Sequence, residues 1–105
     1  MIYSPKTLII NLNREKGFNI NIIFPKVLNI RKYIYFNDSP FYYELIGVIS
    51  LLDSNQKRGH FIAFCKNSEN CEWYKYDDQF VTKSSFNEVI ETGLPYVLFY
   101  SYIKF

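Results

Sequence analysis

The chain has 105 residues, which suits one compact domain, and its 49% hydrophobic and 20% aromatic content excludes a disordered chain. Its 12 basic and 10 acidic residues are spread along the sequence, and the net charge of +2 is too balanced for a nucleic-acid-binding surface. There is no secretory signal pattern, and no apolar run approaches the roughly 18 residues of a membrane span, so we expect no membrane segment.

Two strands are predicted near the N-terminus. Residues 6–14 combine a β-branched apolar run with apolar/polar alternation, and residues 18–24 alternate apolar residues with Asn until Pro25. The turn residues 15–17 between them predict a hairpin. Residues 28–34 fit either an irregular strand or a single helical turn.

A long central strand and a second hairpin are predicted next. Residues 42–52 are dense in β-branched and aromatic side chains, as a buried strand would be. Polar residues 53–59 follow as a loop. Residues 61–66 and 72–76 are strand-like, with the polar residues 67–70 as the turn that joins them.

One short helix and a final strand complete the pattern. Ser85 stands three residues before Glu88, as a capping box requires, and Gly93 marks the end of the helix. Residues 95–102 form another apolar strand. The predicted fold is α+β and mainly β: a twisted antiparallel sheet of about six strands with one short helix.

His60, the only histidine, stands where the polar loop meets a strand. If the hairpin turn is centred between residues 68 and 69, Phe64 lies opposite Trp73, and His60 lies opposite Asp77 at hydrogen-bonding distance. A slip of one residue brings Asp78 across instead and reverses the faces. On this geometry, a catalytic base and a surface or core histidine with a satisfied hydrogen bond are both open.

Segments spread over almost the whole chain resemble the histidine-box region of ubiquitin-specific proteases, in the family's order. They are YELIGVIS at 43–50, GHFIAFCKN at 59–67, WYKYDDQFVT at 73–82, EVI at 88–90 and PYVLFY at 95–100. PKTLIINLNR at 5–14 and FNINIIFPKVLNI at 18–30 resemble the strands that precede this box. The resemblance implies a papain-like fold of thumb, palm and fingers, in which residues 1–105 supply the palm half of the catalytic domain.

The resemblance also implies catalytic roles. His60 matches the general base, Asp77 matches the residue that orients it, and Asp78 is a neighbouring acid that assists. Together with a cysteine thiolate, these residues would hydrolyse the isopeptide bond after the ubiquitin C-terminal glycine.

Substrate-binding roles follow from the same resemblance. The loop that ends at Arg58 would flank the channel for the ubiquitin C-terminal tail, and Gly59 would let that tail pass close to the backbone. Phe61 replaces the family's more frequent Tyr at the rim of the cleft, and Leu51 stands where a His is common.

The nucleophile is the missing part. The family's cysteine box, its oxyanion Asn or Gln and its zinc-binding fingers have no counterpart here, so we expect a partial catalytic domain without metal or cofactor. Cys65 lies five residues beyond His60 on one strand, roughly 16 Å away, and Cys71 lies at the far end of the hairpin. Neither cysteine is therefore expected to exchange a proton with the imidazole.

The expected function is the C-terminal part of a cysteine-type deubiquitinase, inactive alone, with ubiquitin or a ubiquitinated protein and a separate thumb segment as partners. A non-catalytic ubiquitin- or partner-binding module is the alternative, and an unrelated β-rich structural domain is a third reading. Two cysteines without a C-x-x-C pair favour a reducing cytoplasm or nucleus, although a disulfide across the hairpin stays open for a secreted chain.

Overall fold

The computed structural model describes residues 6–12, 22–30, 42–52 and 59–103. No helix within these ranges is long and apolar enough to cross a membrane. The described elements are β1 (Thr7–Asn11), β2 (Val27–Asn29), β3 (Tyr42–Leu52), β4 (His60–Lys66), β5 (Trp73–Asp77), β6 (Phe80–Ser84), α1 (Phe86–Glu91) and β7 (Leu94–Tyr102).

All seven described strands belong to one antiparallel sheet, in the order β1-β7-β3-β4-β5-β6, with β2 paired to the beginning of β3. β3 is the central strand, since β7 pairs with one of its edges while β2 and β4 share the other. The last residue of β3, the first of β4 and the last of β5 lie at the same end of the sheet. His60 and Asp77 are both at this end.

The burial of β3 alternates because successive side chains of a strand point to opposite faces. Tyr43 and Leu45 in its first half, and Val48 and Ser50 in its second half, are all at most 2% exposed. Between the halves the pairing with β7 shifts by one residue at Ile46, which is a β-bulge, and a second shift farther along restores the register. The bulge keeps both halves facing the same core.

The core lies on one face of the sheet. Tyr100 is fully buried, and its hydroxyl donates a hydrogen bond to the Pro25 carbonyl at 2.7 Å; burial raises the pKa of Tyr100 to about 12. This core face is covered by α1 and by the segment that leads into β2. Its buried hydrophobic residues are Phe24, Ile30, Tyr43, Leu45, Val48, Ile62, Phe64, Trp73, Val89, Leu98 and Tyr100.

The helix α1 begins at the predicted cap. The Ser85 hydroxyl accepts a hydrogen bond from the Glu88 amide at 3.2 Å, which satisfies one of the free donors of the first turn. The Ser84 hydroxyl donates to the Glu88 carboxylate at 2.6 Å and lowers the pKa of Glu88, and Lys75 at 3.3 Å lowers it further. Gly93 follows the helix with φ +70.

The structure confirms the predicted fold class, with a few differences in detail. β3 has the predicted bounds, and within the ambiguous segment 28–34 residues 28 and 29 belong to the strand β2. Residues 22–25 are not a strand, and β1 pairs with β7, so the predicted N-terminal hairpin is wrong where it is described; residues 13–21 lie outside the described ranges. β6 was not predicted from the sequence.

Candidate active site

The hairpin of β4 and β5 joins the predicted base to its predicted partner, although the predicted register is wrong. Phe64 pairs with Lys75, two residues from the expected partner Trp73. Because side chains repeat every two residues, a shift of two keeps the same residues on the same face. His60 and Asp77 therefore share the core face as diagonal neighbours, which are still within reach of long side chains.

The register differs because the loop between β4 and β5 is longer than a four-residue turn. The Asn67 amide donates to the Glu72 carbonyl at 2.8 Å, and the Cys71 amide donates to the Asn67 carbonyl at 2.8 Å. Cys71 has a left-handed φ of 59, an uncommon conformation for a residue with a side chain. Glu72 therefore belongs to the loop, not to the strand as predicted.

The central contact of the site is a 2.5 Å hydrogen bond between His60 Nε2 and Asp77 Oδ1. The side chains are 16% and 28% exposed, so both are partly shielded from water and still reachable. A carboxylate can only accept, so Nε2 carries the proton and donates it. The neutral imidazole then has an unprotonated Nδ1 that can accept a proton from another group.

Asp78 is the more exposed acid of the pair. Its Oδ2 atom lies 3.9 Å from His60 Nε2, and its side chain is 70% exposed. Asp78 and Gln79 form the two-residue turn into β6, and Asp78 has a left-handed φ of 54, which aspartate tolerates better than most residues. Asp78 thus adds negative charge near the imidazole without replacing Asp77 as its hydrogen-bond partner.

The predicted substrate-binding residues are only partly described. Gly59 has φ +69, and a Cβ atom built there would meet no heavy atom within 4 Å, so the backbone borders open space. Phe61 is 49% exposed, and its ring makes an edge-to-face contact with Tyr96 at 5.3 Å between centroids. Arg58 lies outside the described residues. The substrate roles of these residues stay predictions.

Tyr96 was not singled out from the sequence. It is the additional residue at the second register shift between β3 and β7, where Val97 pairs with Ile49 and Pro95 pairs with Ser50. A bulge re-aims a side chain in a way that a strand pattern does not reveal. Pro95 was the available signal, since proline lacks the backbone donor that a regular ladder uses.

Neither cysteine lies near the imidazole. Cys65 alternates with His60 along β4 and so points to the opposite face of the sheet, in addition to lying five residues away. Both thiols are free and exposed, and partial burial raises the pKa of the Cys65 thiol. Both cysteines therefore lie where they cannot exchange a proton directly with the His60 imidazole.

The same three residues have a spacing that could hold a divalent cation. One ligand atom each from His60, Asp77 and Asp78 lies within 4.8 Å of the others. However, a metal bound through Nε2 would displace the 2.5 Å hydrogen bond to Asp77. The arrangement therefore serves an oriented base better than a metal centre.

Comparison with known proteins gives the family. The pattern that defines the family Ubiquitin carboxyl-terminal hydrolase matches residues 2–100. The chain belongs to this family. Among curated relatives, the chain is 38% identical over 69 residues to "Probable ubiquitin carboxyl-terminal hydrolase 16" of Schizosaccharomyces pombe, with 66% of the chain and 15% of that protein covered. It is 26% identical to ubiquitin carboxyl-terminal hydrolase 10 of Saccharomyces cerevisiae, with 96% and 14% covered.

Solved hydrolase structures share the fold. The chain resembles a chain of the SAGA Ubp8/Sgf11/Sus1/Sgf73 DUB module, with a TM-score of 0.77 and 33% identity over 95% of this chain. The same module bound to ubiquitin aldehyde gives a TM-score of 0.78 and 32% identity. The chain spans about a quarter of these solved chains and about a seventh of the curated relatives.

Proposed function

We propose that this hydrolase-family chain supplies the general base of a cysteine-type deubiquitinase, which hydrolyses the peptide or isopeptide bond after the ubiquitin C-terminal glycine. The observation that carries the proposal is the hydrogen bond from His60 Nε2 to Asp77 Oδ1, at the open end of the sheet. It fixes the tautomer and leaves Nδ1 for the reaction. Free thiol chemistry of this kind also supports a cytoplasmic or nuclear location.

The proposed reaction gives the two ring nitrogens different tasks: Nε2 keeps its hydrogen bond to Asp77, and Nδ1 transfers the protons. His60 Nδ1 takes the proton of an attacking cysteine thiol, and the thiolate adds to the carbonyl carbon of the ubiquitin glycine. His60 then returns that proton to the leaving lysine amine, while Asp77 stabilises the imidazolium that forms in between. A water molecule then gives a proton to the same nitrogen and attacks the thioester carbonyl; ubiquitin leaves with a free carboxyl group, and the departing cysteine sulfur takes the proton back from His60.

The nucleophile in this proposal comes from polypeptide outside residues 1–105. Cys65 points to the other face of the sheet, and Cys71 lies beyond the far end of β4. Asp78 supports the imidazolium through its charge at 3.9 Å. Arg58 and Gly59 are proposed to border the ubiquitin tail, and Phe61, whose ring points to the face opposite His60, is proposed to border it at the rim.

Hydrolysis of a ubiquitin C-terminal fluorogenic amide tests the proposal in two proteins. The 105-residue chain alone should show no turnover. A chimera in which this chain replaces the matching quarter of Ubp8 should be active. In the chimera His60→Ala should lower kcat at least about 10³-fold, and Asp77→Ala about 10²- to 10⁴-fold, because the imidazole then has no acceptor at position 77 to fix its tautomer. Turnover by the isolated chain that Cys65→Ala or Cys71→Ala abolishes would refute the assignment of the nucleophile.

A binding module without catalysis is the second candidate, and the face of the sheet opposite the core favours it. Ile9, Phe61 and Tyr76 are 41–60% exposed on this outer face. The same face carries a cavity of about 310 Å³ whose lining is almost entirely apolar, and Gly47 lies in its wall. Exposed apolar surface of this kind marks binding sites. NMR titration with ubiquitin that shows saturable binding, together with an inactive chimera, would favour this function.

A further inference from the structure

The turn from β5 to β6 fixes an exposed aromatic residue beside the proposed base. Asp78 and Gln79 form the whole turn, so Phe80 pairs directly with Asp77. Directly opposed residues of an antiparallel pair point to the same face, which places the Phe80 ring on the face that carries Asp77 and His60. A two-residue turn leaves little freedom for this placement.

Phe80 has no role in the core. It is 64% exposed, and every residue of β6 except Ser84 is exposed. Single exposed apolar side chains are common, so exposure alone carries no argument. The position does, because an apolar ring held by the backbone next to a catalytic carboxylate is available to a substrate that enters the site.

The order of residues across this end of the sheet indicates on which side of the cleaved bond the Phe80 ring lies: the side of the modified lysine. Gly59 directly precedes His60 at the start of β4, Asp77 lies on the neighbouring strand β5, and Phe80 lies one strand beyond, on β6. Under the proposed function the ubiquitin tail lies along Gly59. The leaving group then departs past His60 on the far side, toward Phe80.

We propose that Phe80 is a specificity residue for the protein from which ubiquitin is removed, and that it contacts an apolar side chain next to the modified lysine. This inference rests on the proposed function and adds what the enzyme would recognise in the protein that carries ubiquitin. A hydrophobic contact of this size changes kcat/KM by about 10-fold between a substrate that makes it and one that does not.

Two branched substrates test the contact in the Ubp8 chimera described above. Both carry ubiquitin on the lysine side chain of a peptide, with Leu on either side of that lysine in one and Ser in the other. The unmodified chimera should prefer the Leu peptide about 10-fold in kcat/KM. Phe80→Ala should bring the ratio close to one. Val81→Ala is the matched control, because Val81 is similarly exposed, at 55%, on the opposite face.

The outcomes separate the two proposals. A folded chimera that hydrolyses neither the fluorogenic amide nor the peptides refutes the proposed function, and this inference fails with it. An active chimera in which Phe80→Ala slows both peptides equally, or in which Val81→Ala lowers the ratio as much, refutes the inference alone. Equal slowing would show that Phe80 packs against the rest of the enzyme.

If the chimera does not fold, a binding measurement on the 105-residue chain tests the same contact. Peptides with a Gly-Gly-modified lysine, flanked by Leu or by Ser, are titrated into the 105-residue chain, and the amide shifts of Phe80 and Val81 are followed by NMR. Larger shifts at Phe80 than at Val81, with the Leu peptide only, support the inference. Equal or absent shifts with both peptides overturn it.

Discussion

Two glycines with the same backbone conformation should respond very differently to alanine. Gly59 and Gly93 have φ +69 and φ +70. A Cβ atom at Gly59 would meet nothing within 4 Å, whereas at Gly93 it would lie 2.6 Å from the Leu51 carbonyl oxygen and 3.2 Å from Leu52 Cδ2. The pair therefore separates the cost of the left-handed backbone from the cost of a steric clash.

The expected magnitudes follow from these two terms. The left-handed conformation costs alanine about 1–2 kcal/mol, and the lower entropy of the unfolded chain returns about 0.4–1 kcal/mol, so Gly59→Ala should lose about 0.5–1 kcal/mol. The clash with the β3 backbone adds about 1–3 kcal/mol for Gly93→Ala, which gives a total of about 1.5–4 kcal/mol.

Urea unfolding of the 105-residue chain measures both variants. Trp73 is the only tryptophan and is 7% exposed, so its fluorescence reports loss of the core. With an m-value of about 1–2 kcal/mol/M, the midpoint should fall by about 0.5 M for Gly59→Ala and by more than about 1 M for Gly93→Ala. Equal shifts for the two variants would refute the steric argument and the packing of the helix end against β3.

Three further outcomes are expected. Tyr100→Phe should lose about 1–2 kcal/mol at pH 7, because the Pro25 carbonyl loses its donor. Folding raises the Tyr100 pKa from 10 to about 12. The stability that the protonated Tyr100 contributes is therefore complete below pH 10 and is lost as the pH rises to 12. The free energy of unfolding of Tyr100→Phe should fall less steeply over this pH range than that of the unmodified chain. Ser85→Ala should lose about 1 kcal/mol in urea unfolding through the helix cap, and Ser85→Asp should not. Cys71 should react with iodoacetamide several-fold faster than Cys65 at pH 7.5 by mass spectrometry, because the raised pKa of Cys65 reduces its thiolate fraction; equal rates would contradict this.

Features set by local chemistry could be predicted from the sequence. The bounds of β3 follow from its β-branched and aromatic run, and the start of α1 follows from Ser85 and Glu88. His60 and Asp77 were expected to meet across a hairpin, and they do. The predicted register was wrong by two residues. Because a shift of two residues leaves every side chain on its original face, the expected contact still formed.

Features set by long-range pairing could not be predicted. β1 is followed by turn residues, which favoured a hairpin with its neighbour in sequence, yet it pairs with the C-terminal strand β7. β6 has an almost fully exposed pattern, so no apolar alternation marked it. The placement of Tyr96 depends on an irregularity between distant strands.

The single extra residue at Ile46 keeps the buried side chains of both halves of β3 on the same face of the sheet. Tyr43 and Ser50 are separated by an odd number of positions, so an unbroken strand would send them to opposite sides; the bulge brings both inward. Deletion of one residue there would reverse the faces of one half of β3. Either Tyr43 and Leu45, or Val48 and Ser50, would then point away from the core. The number of residues in β3 at the bulge therefore matters more than which residue stands there. Deletion of residue 46 should be tolerated far less well than its substitution.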